Sequence, residues 1–217
     1  MQLQLPTLRH AGICRLYLCR HGETDFNVKG FFQGRGVDST LNPTGHGQAS
    51  RLAKVCQTLP LDALYCSSLQ RSRQTAEHIQ QHHQTLDLLS TQDLDEMSFG
   101  RLEGKSHADH QAELDRIHGA WREGAYTCGF DAGETPLDVE TRGRQAIEIM
   151  LTENPQWSHV LAVSHGRFLK IVLASLLGDL DRMHTFEQDN CCVNVLDYDR
   201  NTKTFELIVM NNTSFLT

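Results

Sequence analysis

The sequence predicts a doubly wound, three-layer α/β sandwich whose central sheet is mostly parallel, with an antiparallel edge strand. Short runs rich in β-branched and aromatic residues alternate with helical patterns through most of the 217 residues, which is typical of α/β sheets covered on both faces. The runs at 14–19 and 159–164 are nearly continuously apolar, as buried parallel strands are. The runs at 192–198 and 204–210 are joined by a short turn and predict an antiparallel hairpin at one edge.

The strands are predicted from brevity and from their β-branched or aromatic content. The first helix is predicted from a Thr44 cap followed by Ala49, Leu52 and Cys56 at helical spacing. The predicted strands are 14–19, 62–67, 159–164, 192–198 and 204–210, and the predicted helices are 44–58, 69–83, 107–123, 136–153 and 166–178.

One domain is expected over residues 1–217, because the length suits one sizeable core and the chain has no linker, repeat or low-complexity tract. The net charge of −7 argues against nucleic-acid binding, which requires a basic field. No apolar run is long enough for a membrane span, and the first residues do not read as a secretory signal.

Seven cysteines without a C-x-x-C pair indicate reduced thiols and a cytoplasmic protein. The histidines His78, His82 and His83 share helical spacing, but they have no evident carboxylate partner. They therefore read as a solvated helix face, and no metal site is predicted.

Polar residues follow three of the predicted strands. The first strand runs into Arg20 and His21, the second leads to Arg71 at a helix start, and the third runs into His165 and Gly166. Ligands of open α/β sheets bind beyond the carboxyl ends of the strands. Taken singly, Arg71 could form a surface salt bridge and His165 could be a core histidine. Their convergence instead predicts a site for a tetrahedral dianion.

An imidazole is a competent nucleophile toward phosphorus, and flanking arginines stabilise the charge of the transferring group. A leaving alkoxide also needs a proton. The loop after the second helix offers Asp93, Asp95, Glu96 and Glu103 as acids. These residues leave the choice of acid open.

The sequence blocks 20–24, 41–49, 67–76, 96–104 and 164–166 resemble, in this order, the signature of the histidine phosphatase superfamily, also called the phosphoglycerate mutase-like family. The resemblance runs from about Leu16 to Leu169 and implies the phosphoglycerate mutase-like version of the α/β sandwich. No metal or organic cofactor is implied.

The resemblance also assigns roles. His21 matches the histidine that becomes phosphorylated, and Glu96 matches the proton donor, with Asp95 or Glu103 as alternatives. The positions that match the phosphate pocket and the substrate entrance are Arg20, Arg71, His165, Gly166, Glu23, Asn27, Gln33 and Gly34.

The family contains phosphatases and mutases. Arg167 after His165-Gly166 and the Glu103-Gly104 end of the acid loop resemble the phosphatase branch. The segment 130–142 resembles the Gly-Glu-Ser segment of broad-specificity and cobalamin-pathway phosphatases, with Thr135 in place of Ser. The expected function is metal-independent hydrolysis of a small phosphomonoester. Phosphoglycerate mutase activity and an inactive phospho-ligand-binding protein are the alternatives.

A lid that sets specificity is expected at about 104–133. It holds Trp121, Arg122, Tyr126 and Phe130, which could contact an aromatic or sugar portion of the substrate. The protein is expected to be a monomer or homodimer.

Overall fold

The structure is a computed structural model that describes residues 3–217. Across this range a six-stranded sheet has the order β3-β2-β4-β1-β5-β6. Its strands are β1 (Ile13–Arg20), β2 (Ala63–Ser67), β3 (Leu88–Thr91), β4 (His159–Ser164), β5 (Val193–Asp199) and β6 (Thr204–Asn212). The first four strands are mutually parallel, whereas β5 is antiparallel to both β1 and β6.

The antiparallel hairpin at one edge is confirmed, but the edge strand β6 runs in the same direction as β1. The strand that opposes the rest is β5, which lies second from the edge between β1 and β6. The short edge strand β3 was not predicted. Its pattern is one of half-buried and exposed residues, so it lacks the apolar run that marks a central strand.

Two helical layers cover the sheet. The helices are α1 (Asp25–Lys29), α2 (Pro43–Cys56), α3 (Gln70–Gln80), α4 (Gln111–Arg122), α5 (Pro136–Thr152) and α6 (Gly166–Leu176). Leu16 and Leu18 of β1 pack with α4, α5 and α6 in one core. Tyr17 and Cys19 point to the other face and pack with α2 and α3. This alternation on one strand produces the three layers.

The helix α1 was also missed. It is short and has no buried residue, so it shows no apolar periodicity. Thr24 begins it through a capping box with Asn27, and Gly30 ends it at φ 65, a left-handed conformation that glycine adopts without strain.

The register of the sheet brings the ends of β1 and β4 to the same level. Arg20 pairs with Ser164, and the His21 N–H donates to the Ser164 carbonyl at 3.0 Å. Because β4 lies between β1 and β2, the segments that follow these three parallel strands meet at the carboxyl end of the sheet. Within residues 3–217, no helix is long and apolar enough to cross a membrane.

Candidate active site

A cavity of about 450 Å³ opens at this carboxyl end of the sheet. The structure brings most of the predicted site residues into its lining. These are Arg20, His21, Asn27, Gln33, Gly34, Arg71, Glu96 and Gly166. The ring of His165 lies next to that of His21, with ring centroids 5.1 Å apart.

The hydrogen bonding of His21 fixes its tautomer. The side chain is buried, and its Nδ1 lies 2.7 Å from the Gly22 carbonyl oxygen. A carbonyl can only accept, so Nδ1 carries the proton and Nε2 keeps its lone pair. Burial, followed by the charges of Arg71 and Arg20, holds the pKa of His21 well below its usual value. The imidazole is therefore neutral, with a free nucleophilic nitrogen.

Two arginines are held by backbone carbonyls. Arg71 donates from Nη1 to Val37 at 2.9 Å and from Nη2 to Gly34 at 2.8 Å, and Arg20 donates from Nη1 to Gln188 at 2.7 Å. Burial lowers the pKa of Arg71 to about 10 and also lowers that of Arg20. Arginine remains protonated under such conditions. The carbonyls aim both guanidinium groups without neutralising them.

Ser67 orients the ring of His165. Its Oγ lies 2.6 Å from His165 Nε2 and accepts a hydrogen bond from the Leu69 N–H. Within residues 3–217 the Ser67 hydroxyl has no other acceptor, so its proton goes to Nε2, and the ring proton of His165 is then on Nδ1. Burial lowers the pKa of His165 strongly, and Arg71, His21 and Arg20 add to this effect. His165 thus presents a neutral N–H donor.

Three donors of this site are buried without a partner among the residues described. They are Arg20 Nε, Arg71 Nε and His165 Nδ1. A buried donor that lacks an acceptor costs about 1–3 kcal/mol. Three such donors beside one neutral imidazole suit a ligand with several anionic oxygens. No group of three or more His, Cys, Asp or Glu side chains that could hold a metal ion occurs within residues 3–217.

Glu96 is fixed by three backbone N–H groups, two of which lie at the start of α6. Its Oε1 accepts from Phe168 at 2.8 Å and from Met97 at 2.9 Å, and its Oε2 accepts from Arg167 at 3.1 Å. The carboxyl lines the cavity. This position places an acid beside the two arginines.

The two alternative acids, Asp95 and Glu103, form hydrogen bonds outside the cavity. Asp95 accepts from the N–H and the hydroxyl of Ser68, and Glu103 accepts from the backbone of Arg35, Gly36 and Phe99. Neither is among the residues that line the cavity. Glu103 instead fixes the loop around Gly34, where φ is +59 and an added Cβ would lie 2.0 Å from Glu103 Oε1.

The structure does not bring the predicted entrance residue Glu23 to the cavity. Glu23 accepts from Asn42 Nδ2 at 2.9 Å and lies outside the lining. Next to it, a Cβ at Gly22 would lie 2.6 Å from the Gly45 carbonyl oxygen, so Gly22 allows the first loop to pack against α2.

The predicted contacts of the segment 104–133 also differ. The four residues Trp121, Arg122, Tyr126 and Phe130 do not line the cavity, and Trp121 and Phe130 belong to the core. The lining comes from other residues that sequence reasoning missed, namely His107, Leu114, His118, Arg167, Lys170 and the segment 187–189. The spacing of Arg167 and Lys170 on α6, next to Gly166, was a usable signal for one helix face.

The chain matches known proteins along most of its length. The sequence model of the histidine phosphatase superfamily (branch 1) matches residues 16–213. The protein named "Broad-specificity phosphatase YOR283W" from Saccharomyces cerevisiae is 30% identical over 94% of this chain and 88% of its own. "Probable phosphoglycerate mutase GpmB" from Shigella boydii is 32% identical over 85% of each chain.

Solved structures share the fold. The native structure of mycobacterial glucosyl-3-phosphoglycerate phosphatase superposes with a TM-score of 0.83 at 27% identity, covering 93% of this chain and 100% of that one. Because the family's sequence model spans most of the chain and the relatives align along nearly its whole length, this protein belongs to the histidine phosphatase superfamily, branch 1.

Proposed function

We propose that this protein hydrolyses small-molecule phosphomonoesters through a phosphohistidine on His21, with Glu96 as the general acid and without a metal ion. The observation that carries this proposal is the set of three unpartnered buried donors beside an imidazole whose Nε2 is free. These donors match the oxygens of a phosphoryl group in number and charge. They would stabilise the negative charge that a metal ion neutralises in other phosphoryl-transfer enzymes.

In the first step the Nε2 lone pair of His21 attacks phosphorus as the bond to the leaving oxygen breaks. Arg20, Arg71 and the Nδ1–H of His165 stabilise the equatorial oxygens, and protonated Glu96 gives its proton to the leaving oxygen. In the second step the Glu96 carboxylate takes a proton from water as that water attacks phosphorus. The P–N bond breaks, and inorganic phosphate and neutral His21 are restored.

The first test is hydrolysis of p-nitrophenyl phosphate in the presence of a chelator. We expect chelator-insensitive release of nitrophenolate that is abolished in His21→Ala, together with an acid-labile phosphoenzyme in the wild type. His82→Ala removes an exposed imidazole from the same fold and serves as the matched control. Full activity in His21→Ala would refute the assignment of the nucleophile.

The second test concerns the acid. Glu96→Gln should slow phosphoryl transfer from alkyl phosphates by roughly 10²–10⁴-fold, because their leaving oxygens need a proton. The activated nitrophenolate should be far less affected. Asp93→Asn changes an exposed carboxylate of the same loop and is the control. Equal losses on both substrate types would point to another acid.

Phosphoglycerate mutase activity is a second candidate, favoured by the similarity to a protein named as a mutase. It would convert 3-phosphoglycerate into 2-phosphoglycerate with little free phosphate. A binding protein without turnover is the third. Product analysis by phosphorus NMR separates all three outcomes.

Three further expectations remain proposals. We place a specificity-determining lid at 104–133, to which Leu114 and His118 of α4 contribute cavity lining. A cytoplasmic location is supported by the seven cysteines, all of which are free thiols. We propose that the protein is a monomer or a homodimer, and light scattering on the purified protein distinguishes these two oligomeric states.

A further inference from the structure

The part of the cavity lining that α4, α6 and the segment 187–189 form, which we call the outer wall, carries a second pair of cations. Arg167 and Lys170 lie three residues apart on α6, and both line the cavity. Residues at this spacing share one face of a helix. The cavity of about 450 Å³ is much larger than a phosphate group, so it has room for a further part of the ligand that these two cations could contact.

The guanidinium group of Arg167 is held in place from two sides. Its Nη2 lies 3.1 Å from His118 Nε2, and its central carbon lies 5.4 Å from the centroid of the Trp121 ring. Burial, with a further contribution from Arg167, lowers the pKa of His118 to about 4. His118 is therefore neutral, and its Nε2 accepts the hydrogen bond. Trp121 is itself fully buried, so the stacking surface is rigid.

This guanidinium group has no acidic partner. Within residues 3–217, no Asp or Glu oxygen lies within 4.0 Å of an Arg167 nitrogen. Glu96 is the acidic group whose charge acts on Arg167, but its two oxygens are taken by backbone N–H groups. A partly buried cation without a counter-ion is costly unless a ligand supplies the negative charge.

Lys170 is only weakly neutralised. Its Nζ lies 3.9 Å from Glu187 Oε2, and the Glu187 side chain is 78% exposed, so this pair contributes little. The nearby Asp189 carboxylate accepts from Asn211 Nδ2 at 2.9 Å. Burial lowers the pKa of Lys170, and the like charge of Arg167 lowers it further. An anion between the two cations would relieve their repulsion.

We propose that Arg167 and Lys170, with His118 and Trp121 orienting Arg167, form a second anion subsite that binds a carboxylate carried by the phosphorylated substrate. This inference rests on the proposed function and narrows it to phosphorylated carboxylic acids. A carboxylate fits better than a second phosphate, because Glu187 and Asp189 also line this wall and would repel a dianion more strongly than a monoanion. A guanidinium fork matches a carboxylate in a bidentate manner.

The test compares two substrates that differ only at this group. In 3-phosphoglycerate a carboxylate stands where glycerol 3-phosphate has a hydroxymethyl group. We expect the wild type to release phosphate from the acid with the higher kcat/KM. We also expect Arg167→Gln to lower the ratio of the two kcat/KM values by about 10- to 100-fold, as for a charge-assisted hydrogen bond. Lys170→Gln should lower the ratio less.

Arg122→Gln is the matched control, since Arg122 is an exposed arginine of α4 outside the cavity. It should leave the ratio unchanged. Propane-1,3-diol bisphosphate is the third substrate. If it is preferred over 3-phosphoglycerate in an Arg167-dependent manner, the assignment to a carboxylate is wrong. A ratio that stays the same in both Arg167→Gln and Lys170→Gln overturns the subsite.

A binding measurement separates this inference from the proposed function. Calorimetric titration of His21→Ala with both compounds should show tighter binding of 3-phosphoglycerate, and the preference should disappear in the His21→Ala/Arg167→Gln double variant. Hydrolysis of p-nitrophenyl phosphate without any carboxylate preference refutes the subsite alone. Carboxylate-selective binding in a protein without turnover supports the subsite and refutes the proposed hydrolysis.

Discussion

Replacement of Arg142 by methionine should both destabilise the fold and impair Glu96, the proposed acid. Arg142 forms a bidentate pair with Glu134, with Nε–Oε1 at 2.7 Å and Nη2–Oε2 at 3.0 Å. It also donates to the carbonyls of Asp93 and Asp95 at 2.9 Å and of Glu96 at 3.1 Å. One side chain thus ties α5 to the loop that carries Glu96.

The expected loss of stability follows from the Glu134 carboxylate, which the substitution leaves without Arg142 as its partner. The Arg142 and Glu134 side chains are 14% and 17% exposed, and removal of one partner of a buried pair costs about 3–5 kcal/mol. A loss of this size in a protein of this length lowers the Tm by about 6–20 °C. Because the Glu96 backbone loses its anchor, turnover of alkyl phosphates should fall by about 10- to 100-fold, with a smaller effect on p-nitrophenyl phosphate.

The pH dependence of this effect has a definite sign. Burial raises the pKa of Glu134, but the hydrogen bond and charge of Arg142, together with the Ser98 N–H and the charge of Arg35, outweigh burial and lower this pKa below its ordinary value of 4.5. A lowered carboxyl pKa gives stability that is present above the unfolded value and lost as the pH falls through the folded value. The difference in Tm between wild type and Arg142→Met should therefore narrow below pH 4.5.

Thermal denaturation followed by circular dichroism, together with kcat on both substrate types, provides the assay. Arg73→Met is the control, since it removes an i,i+4 pair with an arginine that is 63% exposed, and it should cost less than about 1 kcal/mol. If Arg142→Met melts like Arg73→Met, or loses activity equally on both substrates, the reasoning is refuted.

Three further substitutions have expected outcomes. Gly143→Ala would place a Cβ 2.5 Å from Val172 Cγ2 between α5 and α6, and urea unfolding should show a loss of about 1–3 kcal/mol. Ser67→Ala removes the hydroxyl that fixes the His165 tautomer; kcat should fall about tenfold, and nitrogen NMR should show the changed tautomer. Asp197→Asn leaves its buried arginine partner on β1 without a counter-charge, so chemical denaturation should show a loss of about 3–5 kcal/mol, whereas an apolar replacement of both partners should restore most of it.

Much of the fold could be predicted because its central strands are apolar on both faces. β1 and β4 are buried along nearly their whole length, and such runs are visible in the sequence. The superfamily assignment is confirmed, and a relative that aligns along most of the chain is named a phosphatase. The elements that were missed, α1 and β3, bury little apolar surface and therefore leave no periodic pattern.

The site likewise contains residues that could be predicted from the sequence and residues that could not. The positions of Arg20, His21 and His165 could be predicted because Arg20 ends a buried strand and the two histidines directly follow such strands, whose register sets their level. The outer wall could not, because its residues come from α4, α6 and the segment 187–189, and only tertiary packing decides which face of each element meets the cavity. Glu23 was misplaced for a related reason. Its side chain turns to Asn42, a contact that no local pattern reveals.

The place of β1 in the sheet has a consequence for how the chain folds. β1 leaves the ribosome before the other five described strands, yet its two neighbours are β4 and β5, which lie far later in the sequence. Pairings between such distant segments form slowly, and their apolar surfaces stay unprotected until the partners arrive. The pocket that joins the His21 and His165 segments is therefore expected to assemble late, so that recovery of activity during refolding reports completion of the whole sheet. Chains arrested before β4 should be the species that chaperones retain.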